Sequence, residues 1–562
     1  MSELEPTAAS TAPAGGRWWL IAIAAAALGG IYALGASGFP VSEPDEARYA
    51  EIARELLVRN DWITPHLNFV KYFEKPPFVY WATASAFRIF GFNEFAARLP
   101  SLVSALATIA LVAWLAGRIY DRPTRSLTAG ILASGPYYAV LGQTLTLDLA
   151  LTFFVTAALV ATWVGAQRPS RWWYRCAYVA TALGVLTKGP VAAVLVGGTA
   201  GLFLLIDGGW RALRRAIDPV GVALAAVIIL PWFILVSWRN PEFPQFFFVD
   251  QHVKRFLWTK EHRAPMWFYL PLLPVALFPW SLLPFVDPAV WRPHLDPRRW
   301  SSATRFLVLW VVVVVGFFSL STSKLLTYIL PAVPPLAVLL ARLFADALAR
   351  RRTELFVRGG GLLFVLGAAT ALAAVVVPLV VKHWRAPLLL PYLAVGGLIL
   401  IVTGLYMRRS AQRDRLSASL AVLSAGAIAF LAVGVSGRGL VVSYRDLGHA
   451  AAAALQPGDQ LAVYGHYVSG IPFYSGQRVI MIRSWGELEF GSRQGDQSAY
   501  FWPSDEQLRQ AWRSPQRLLL VINRNELDGL QPPLDPPPVQ LAAEGKKVLV
   551  ANHAGREPGE RR

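Results

Sequence analysis

The densest chemistry in the chain lies in residues 42–77, SEPDEARYAEIARELLVRNDWITPHLNFVKYFEKPP. Asp45 and Glu46 are followed at once by Arg48 and Tyr49, and Tyr72, Glu74 and Lys75 stand just ahead of Pro76-Pro77. A carboxylate in such a setting can take a proton from an acceptor or steady an oxocarbenium-like centre. An ammonium or guanidinium group can hold a phosphate. Tyr49, Ile52, Ala53, Leu56 and Leu57 recur at helical spacing, so a short amphipathic helix is predicted to begin at Asp45 and to rest on a membrane surface. Ser42 is its expected N-cap, and Pro44 suits a first turn. The plainer reading of Asp45 is a first-turn acid favoured by the helix dipole.

Further charges stand where an apolar environment makes them expensive. Asp148 interrupts TLTLDLAL, and an acid at that depth is either functional or one half of an ion pair between helices. Lys188 sits in TKGP, and Lys324 and Tyr328 sit in SKLLTYILP. These lysines are expected either to bind phosphate or to snorkel to lipid headgroups. Residues 239–265 carry Asp250, His252, Lys254, Arg255, Lys260, His262 and Arg263 among Phe246, Phe247, Phe248, Phe256 and Trp258. That mixture suits an anionic headgroup at the interface or an ordinary amphipathic helix. Glu74, His252 and His262 could ligate a divalent metal such as zinc. Nothing in the sequence requires a cofactor.

These residues need elements to hold them. Of 562 residues, 55% are hydrophobic and only 16% charged, against about a quarter charged in soluble proteins. Mean hydropathy is +0.43. Apolar runs of about 20 residues recur, so the chain reads as a polytopic α-helical membrane protein. The single cysteine, Cys176, excludes an internal disulfide and a thiolate metal cluster. The net charge of +18 would suggest nucleic acid in a soluble protein. Here the Lys and Arg residues sit mostly in short loops, which is the pattern of membrane topology.

Spans are expected over residues 18–36, 99–117, 126–142, 146–165, 173–187, 190–206, 218–238, 266–285, 302–320, 326–345, 359–381, 388–407 and 416–436, about thirteen in all. Loops 118–125, 168–175, 211–215, 292–305, 342–358 and 408–415 are basic and are expected in the cytoplasm. Loops 142–146, 187–189, 321–324 and 382–385 are nearly bare and are expected outside, as is everything after residue 440. The domains are then a cytoplasmic tail at 1–17, a transmembrane part at 18–436 with a first outer loop at 37–98, and an outer α/β domain at 440–562.

Residues 78–92 are short for a crossing, contain Arg88 and follow two prolines, which favours a helix lying in the interface. If that segment crossed, Asp45 would face the cytoplasm, and charge counting does not decide between the two. In the last part, helices are predicted over 444–455 and 505–513, and strands over 460–465, 478–482, 518–523 and 547–551. Residues 532–538 are a proline-rich connector. No P-loop, dinucleotide fingerprint or zinc-finger spacing occurs.

The succession PDEARYAE, KYFEKPP, LTKGP and SKLLTYILP resembles the bacterial lipid A aminoarabinose transferases, which have the GT-C fold. An acidic pair in the first outer loop, KPP and TKGP also resemble protein O-mannosyltransferases. YFEKP and KLLTYILP resemble the aminoarabinose branch more closely. The resemblance implies transfer of 4-amino-4-deoxy-L-arabinose from undecaprenyl phosphate to a phosphate of lipid A or its precursor. The setting would be the outer face of a Gram-negative inner membrane, and the outcome resistance to polymyxin and other cationic peptides. It also places the first outer loop outside. Asp45 and Asp148 are then the expected catalytic acids. Glu46, Arg48, Tyr49, Tyr72, Lys75, Lys188, Lys254, Arg255, Lys260, Arg263, Lys324 and Tyr328 are expected to bind substrate. The alternatives are an O-mannosyltransferase-like enzyme, told apart by its acceptor, and a lipid transporter. A transporter would place its polar groups at mid-membrane.

Overall fold

A computed structural model describes residues 18–168, 170–258, 262–380 and 386–553. The tail 1–17, the loop 382–385 that is expected outside, and Lys260 lie outside the described residues. Among the described residues, nine helices are long and apolar enough to cross a membrane. The chain is therefore a multi-pass helical membrane protein. Trp18–Ser37 and Arg171–Lys188 are further long helices.

Two of the expected spans differ in form. Residues 126–142 are divided into Arg122–Ser134 and Pro136–Gly142, because Pro136 cannot continue the preceding helix. Residues 266–285 are a succession of short turns, including Met266–Tyr269, Leu272–Ala276 and Leu283–Val286. Pro271, Pro274, Pro279 and Pro284 deny that segment a continuous ladder of backbone hydrogen bonds.

The basic loops touch one another. Arg342 pairs with Asp121, Arg351 with Asp414 and Arg305 with Asp207, and the Tyr120 hydroxyl meets that of Thr304. All of these loops therefore gather at one end of the helices. The Asp45–Arg59 helix lies at the other end and is buried along most of its length, from Glu46 through Leu56. It does not rest on a membrane surface as predicted; the C-terminal domain covers it. Its start also differs from the prediction. Pro44 is the N-cap and no side chain caps it, while the Ser42 amide and hydroxyl donate to Glu46 instead. Phe78–Phe90 is a short helix ended by Gly91 in a positive-φ conformation.

The C-terminal part is a six-stranded sheet with the spatial order Phe501–Trp502, Ile480–Arg483, Gln460–Gly465, Leu518–Asn523, Lys547–Ala551, Val539–Glu544. The first four strands are parallel and the last two antiparallel. Alternate residues serve opposite faces. Ala462, Tyr464, Ile480 and Leu520 pack under the Asp505–Trp512 helix. Leu461, Val463, Met481 and Leu519 share one core with Ala47, Ile52, Ala53 and Leu56 of the first outer loop. Val539–Glu544 was not predicted, because its side chains are mostly exposed and follow a proline-rich run.

Candidate active site

The helix from Asp45 leads straight into a cavity of about 830 Å³ above the ends of the spans. Asp45, Arg48 and Tyr49 line it from that helix, and Glu74 and Lys75 from the segment ahead of Pro76. Asp148 enters from the first turn of Leu147–Gln167, where the Thr146 hydroxyl caps the helix. Lys188 enters from the end of Arg171–Lys188, where Gly189 at φ +83° turns the chain. Arg255 and Tyr328 close the far wall.

Most charges there are already paired. Arg48 lies 3.0 Å from Asp45 and also meets Glu487. Lys188 pairs with Asp148, and its ammonium stands 4.4 Å from the centre of the Tyr328 ring. Arg255 lies 3.6 Å from Glu74. Lys75 is different: its ammonium donates to the Glu74 carbonyl at 3.1 Å and forms no ion pair with a carboxylate among the described residues. Burial pushes that ammonium down to about 8; Glu74 opposes the shift, and Arg255, Lys188 and Arg48 add to it. An ammonium short of anionic partners among three other cations has the chemistry to hold an anion. Asp45 keeps 59% of its side chain exposed, so it is the acid best placed to meet a ligand.

A second, apolar groove of about 360 Å³ shares Lys75, Lys188, Gln251, Arg255 and Tyr328 with the cavity. Val191, Val194, Val253, Phe256, Phe317 and Phe318 give it its apolar lining, and His252 also borders it. The two spaces together fit an amphipathic anion, with its phosphate at the cations and its chain along the groove.

The other expected residues are placed elsewhere. Glu46 is fully buried and is gripped by Arg98 at 2.7 and 2.9 Å, so it builds the loop and does not face the cavity. Tyr72 is buried behind the wall. Lys254 pairs with Asp250 at 2.6 Å and points outward. Arg263 and Lys324 line a separate hollow, where Lys324 donates to the Ser321 carbonyl. The expected metal triad is not assembled. Glu74 faces Arg255, the His252 ring packs at a tilt against Phe247 with Nδ1 at its carbonyl, and only His262 of the two histidines lines the main cavity. No three His, Cys, Asp or Glu side chains converge on a metal position among the described residues.

One wall was missed. Gly486, Glu487, Glu489, Phe490, Arg493 and Gln494 of the C-terminal domain line the cavity. Phe490 is anchored between Phe246, at a centroid distance of 4.0 Å, and Phe73, at 5.7 Å. A Cβ on Gly491 would stand 2.5 Å from the Lys71 carbonyl, so only glycine allows this close approach. Burial pushes the Glu487 carboxyl up to about 7, against the pull of Arg48. The signal was present in GELEFGSRQGD, a charged run flanked by glycines directly after a strand.

Comparison with known proteins adds three findings. Residues 74–235 match the family described as dolichyl-phosphate-mannose-protein mannosyltransferase, and residues 447–552 match the aminoarabinose transferase C-terminal domain. The chain is 36% identical over 365 residues to the undecaprenyl phosphate-alpha-4-amino-4-deoxy-L-arabinose arabinosyl transferase of Pseudomonas paraeruginosa, a match that covers 64% of each chain. The likeness to the enzyme of that name from an Enterobacter species is 36% over 356 residues and 61% of each chain. The chain thus spans less than two thirds of the length of these relatives. The crystal structure of ArnT from Cupriavidus metallidurans bound to undecaprenyl phosphate is similar over 97% of this chain and 100% of that one, with a TM-score of 0.84 and 28% identity. Two family models match the helical part and the sheet separately, and one solved ArnT structure is similar over both together: the chain resembles the aminoarabinose transferases across its helices and its sheet.

Proposed function

We propose that this chain moves 4-amino-4-deoxy-L-arabinose from undecaprenyl phosphate to a phosphate of lipid A or its precursor. The observation that carries the reading is the junction of the apolar groove with the charged cavity at Lys75 and Lys188. The polyprenyl chain lies along the groove, and its phosphate meets Lys75, Lys188 and Arg255. The sugar extends into the cavity. The bond between its anomeric carbon and the donor phosphate oxygen breaks, an oxygen of the acceptor phosphate bonds to that carbon, and undecaprenyl phosphate leaves. Lys75 offsets the charge that grows on the departing phosphate. The acceptor is a phosphate monoester with a second pKa of about 6, so it arrives ionised and needs no strong base. Asp45 then serves the positive centre or the sugar's ammonium, and Asp148 holds Lys188 in place.

The gathered basic loops face the cytoplasm by the positive-inside rule. Trp18–Ser37, Arg171–Lys188, the divided segment 122–142 and the proline-rich segment 266–286 bring the crossings to about thirteen. An odd number puts the cavity and the C-terminal sheet together on the periplasmic face of the inner membrane.

The test is the purified protein in lipid nanodiscs with the aminoarabinose donor and lipid A, without an ion gradient. Mass spectrometry is expected to find lipid A heavier by one aminopentosyl residue and free undecaprenyl phosphate. No donor consumption, or transfer to a Ser/Thr peptide in preference to lipid A, would overturn the proposal.

A further inference from the structure

A third cavity, of about 580 Å³, opens at the far end of the helices that carry the site. Leu147–Gln167 starts with Asp148 in the charged cavity and ends in this one at Gln167. Arg171–Lys188 starts here and ends there. The stretch 191–208 rises about 27 Å at about 1.5 Å per residue, close to the hydrocarbon thickness of about 30 Å. At Gly209 the chain leaves helical geometry, with φ +65°, and then resumes as a short helix. Only glycine adopts that φ without cost.

Arg211, Arg214 and Arg215 follow the kink at i, i+3 and i+4, so they share one face of the resumed helix, and all three line the cavity. The acids nearby, Asp207 in the cavity wall among them, are already paired with other groups. Asp207 accepts from Arg305 and from Ser302, the latter at 2.6 Å. Asp218 accepts from Arg175 at 2.7 Å. Among the described residues, the three guanidiniums have no carboxylate partner. Positive-inside topology needs basic charge in this loop, but it does not need three guanidiniums around one hollow.

Ile206, Trp210 and Ile217 flank the same stretch with more than half of each side chain exposed. A ligand that satisfies both surfaces carries phosphate at one end and acyl chains at the other. We infer that this cavity is a binding site for the headgroup of an anionic phospholipid of the inner leaflet, separate from the substrates of transfer. Guanidinium forks suit phosphate oxygens, and juxtamembrane basic clusters recruit anionic lipid.

The test uses the full chain, purified in mild detergent and examined by native mass spectrometry after addition of dioleoyl phosphatidylglycerol, cardiolipin or dioleoyl phosphatidylcholine. The wild type is expected to retain the two anionic lipids and not phosphatidylcholine. Arg211→Gln/Arg214→Gln/Arg215→Gln is expected to retain at least fivefold less, and the triple Lys variant to recover part of the loss. Arg211→Gln alone guards against misfolding of the triple variant, with a smaller loss of the same sign expected. Equal retention by wild type and Gln variants, or equal retention of phosphatidylcholine, would refute the site. Displacement of the bound lipid by an equal concentration of glycerol 3-phosphate would show a site for a soluble anion and would also overturn the lipid assignment.

Discussion

The guanidinium of Arg48, in the Asp45–Arg59 helix, is held between Asp45 of the same helix and Glu487 of the C-terminal domain. This one side chain joins the membrane-end loop to the sheet domain at the edge of the cavity. Under the proposed function, the C-terminal domain is therefore part of the site and not an appendage. Glu487→Gln is expected to lower kcat/KM about tenfold. Its effect on stability should stay near or below about 1 kcal/mol, since Glu487 is 38% exposed and solvent screens the pair. Steady-state kinetics beside thermal unfolding checks both. A large stability loss with unchanged kinetics would place Glu487 in a purely structural role.

Lys75 sets a pH limit. Its ammonium loses its proton from about pH 8 upward in the free protein, against about 10.4 for an ordinary lysine. Donor phosphate needs the charged form. So kcat/KM should be flat with respect to this group below pH 8 and fall by up to about tenfold per pH unit above it. Stability runs the other way. Between pH 8 and about 10.4 the unfolded chain binds more protons at this position than the folded chain does, so this group's contribution to stability rises with pH in that window. Lys75→Ala should cost about 10²- to 10³-fold in kcat, as removal of a transition-state donor does, and should remove the inflection near pH 8. An inflection that persists in Lys75→Ala would assign it to another group.

Much of this site could be read from sequence because Lys75, Asp148 and Lys188 stand in or beside turns that carry few other basic residues, where membrane topology gives a charge no reason to be. Glu46 could not be told from Asp45 in that way. The two differ by about 100° on one helix, and which of them meets Arg98 depends on a partner 52 positions away. Lys324 had the same local appearance as Lys188, but its ammonium finds the Ser321 carbonyl and turns from the cavity. The Glu487 wall reaches the site only because a sheet face packs on the first loop, a contact of long sequence separation that periodicity does not encode. The residues at 266–285 match a span in hydropathy, and the expectation of a continuous helix there fails because it gives no weight to the prolines that break the backbone into short turns.

Asp148 and Lys188 should behave as one unit. Both side chains are largely buried, and the ammonium is also held over Tyr328. Asp148→Asn leaves Lys188 free to bind the donor phosphate too tightly or in the wrong place, and Lys188→Gln leaves Asp148 to repel it. Each single variant is expected to lose activity at least tenfold. The double variant should be little worse than either, with a coupling of about 1–3 kcal/mol. Donor binding by Asp148→Asn should be kept or strengthened while turnover falls. Additive losses in the double-mutant cycle would mean that the two side chains act separately.

Glu46 and Arg98 give the contrasting case of a charged pair that belongs to the scaffold. Both are fully buried. Arg98 also donates to the Phe39 carbonyl at 2.6 Å and the Pro40 carbonyl at 2.8 Å, and Glu46 accepts from the Leu145 amide at 2.8 Å. The pair thus pins the start of the Asp45 helix to the Glu94–Ile119 span and to the turn before Asp148. Burial opposes ionisation of Glu46, but Arg98 outweighs it and holds the carboxyl below its usual range. The stability this contributes is present above the unfolded-state value of about 4.3 and is lost as pH falls through the folded-state one. Removing one partner strands the other charge in a dry interior, which costs about 3–5 kcal/mol. Glu46→Gln is therefore expected to lower the thermal midpoint and the yield of folded protein sharply, and to leave kcat per folded molecule within about threefold of wild type at low temperature. If thermal unfolding is unchanged and turnover is abolished, Glu46 takes part in the chemistry and the scaffold role is wrong.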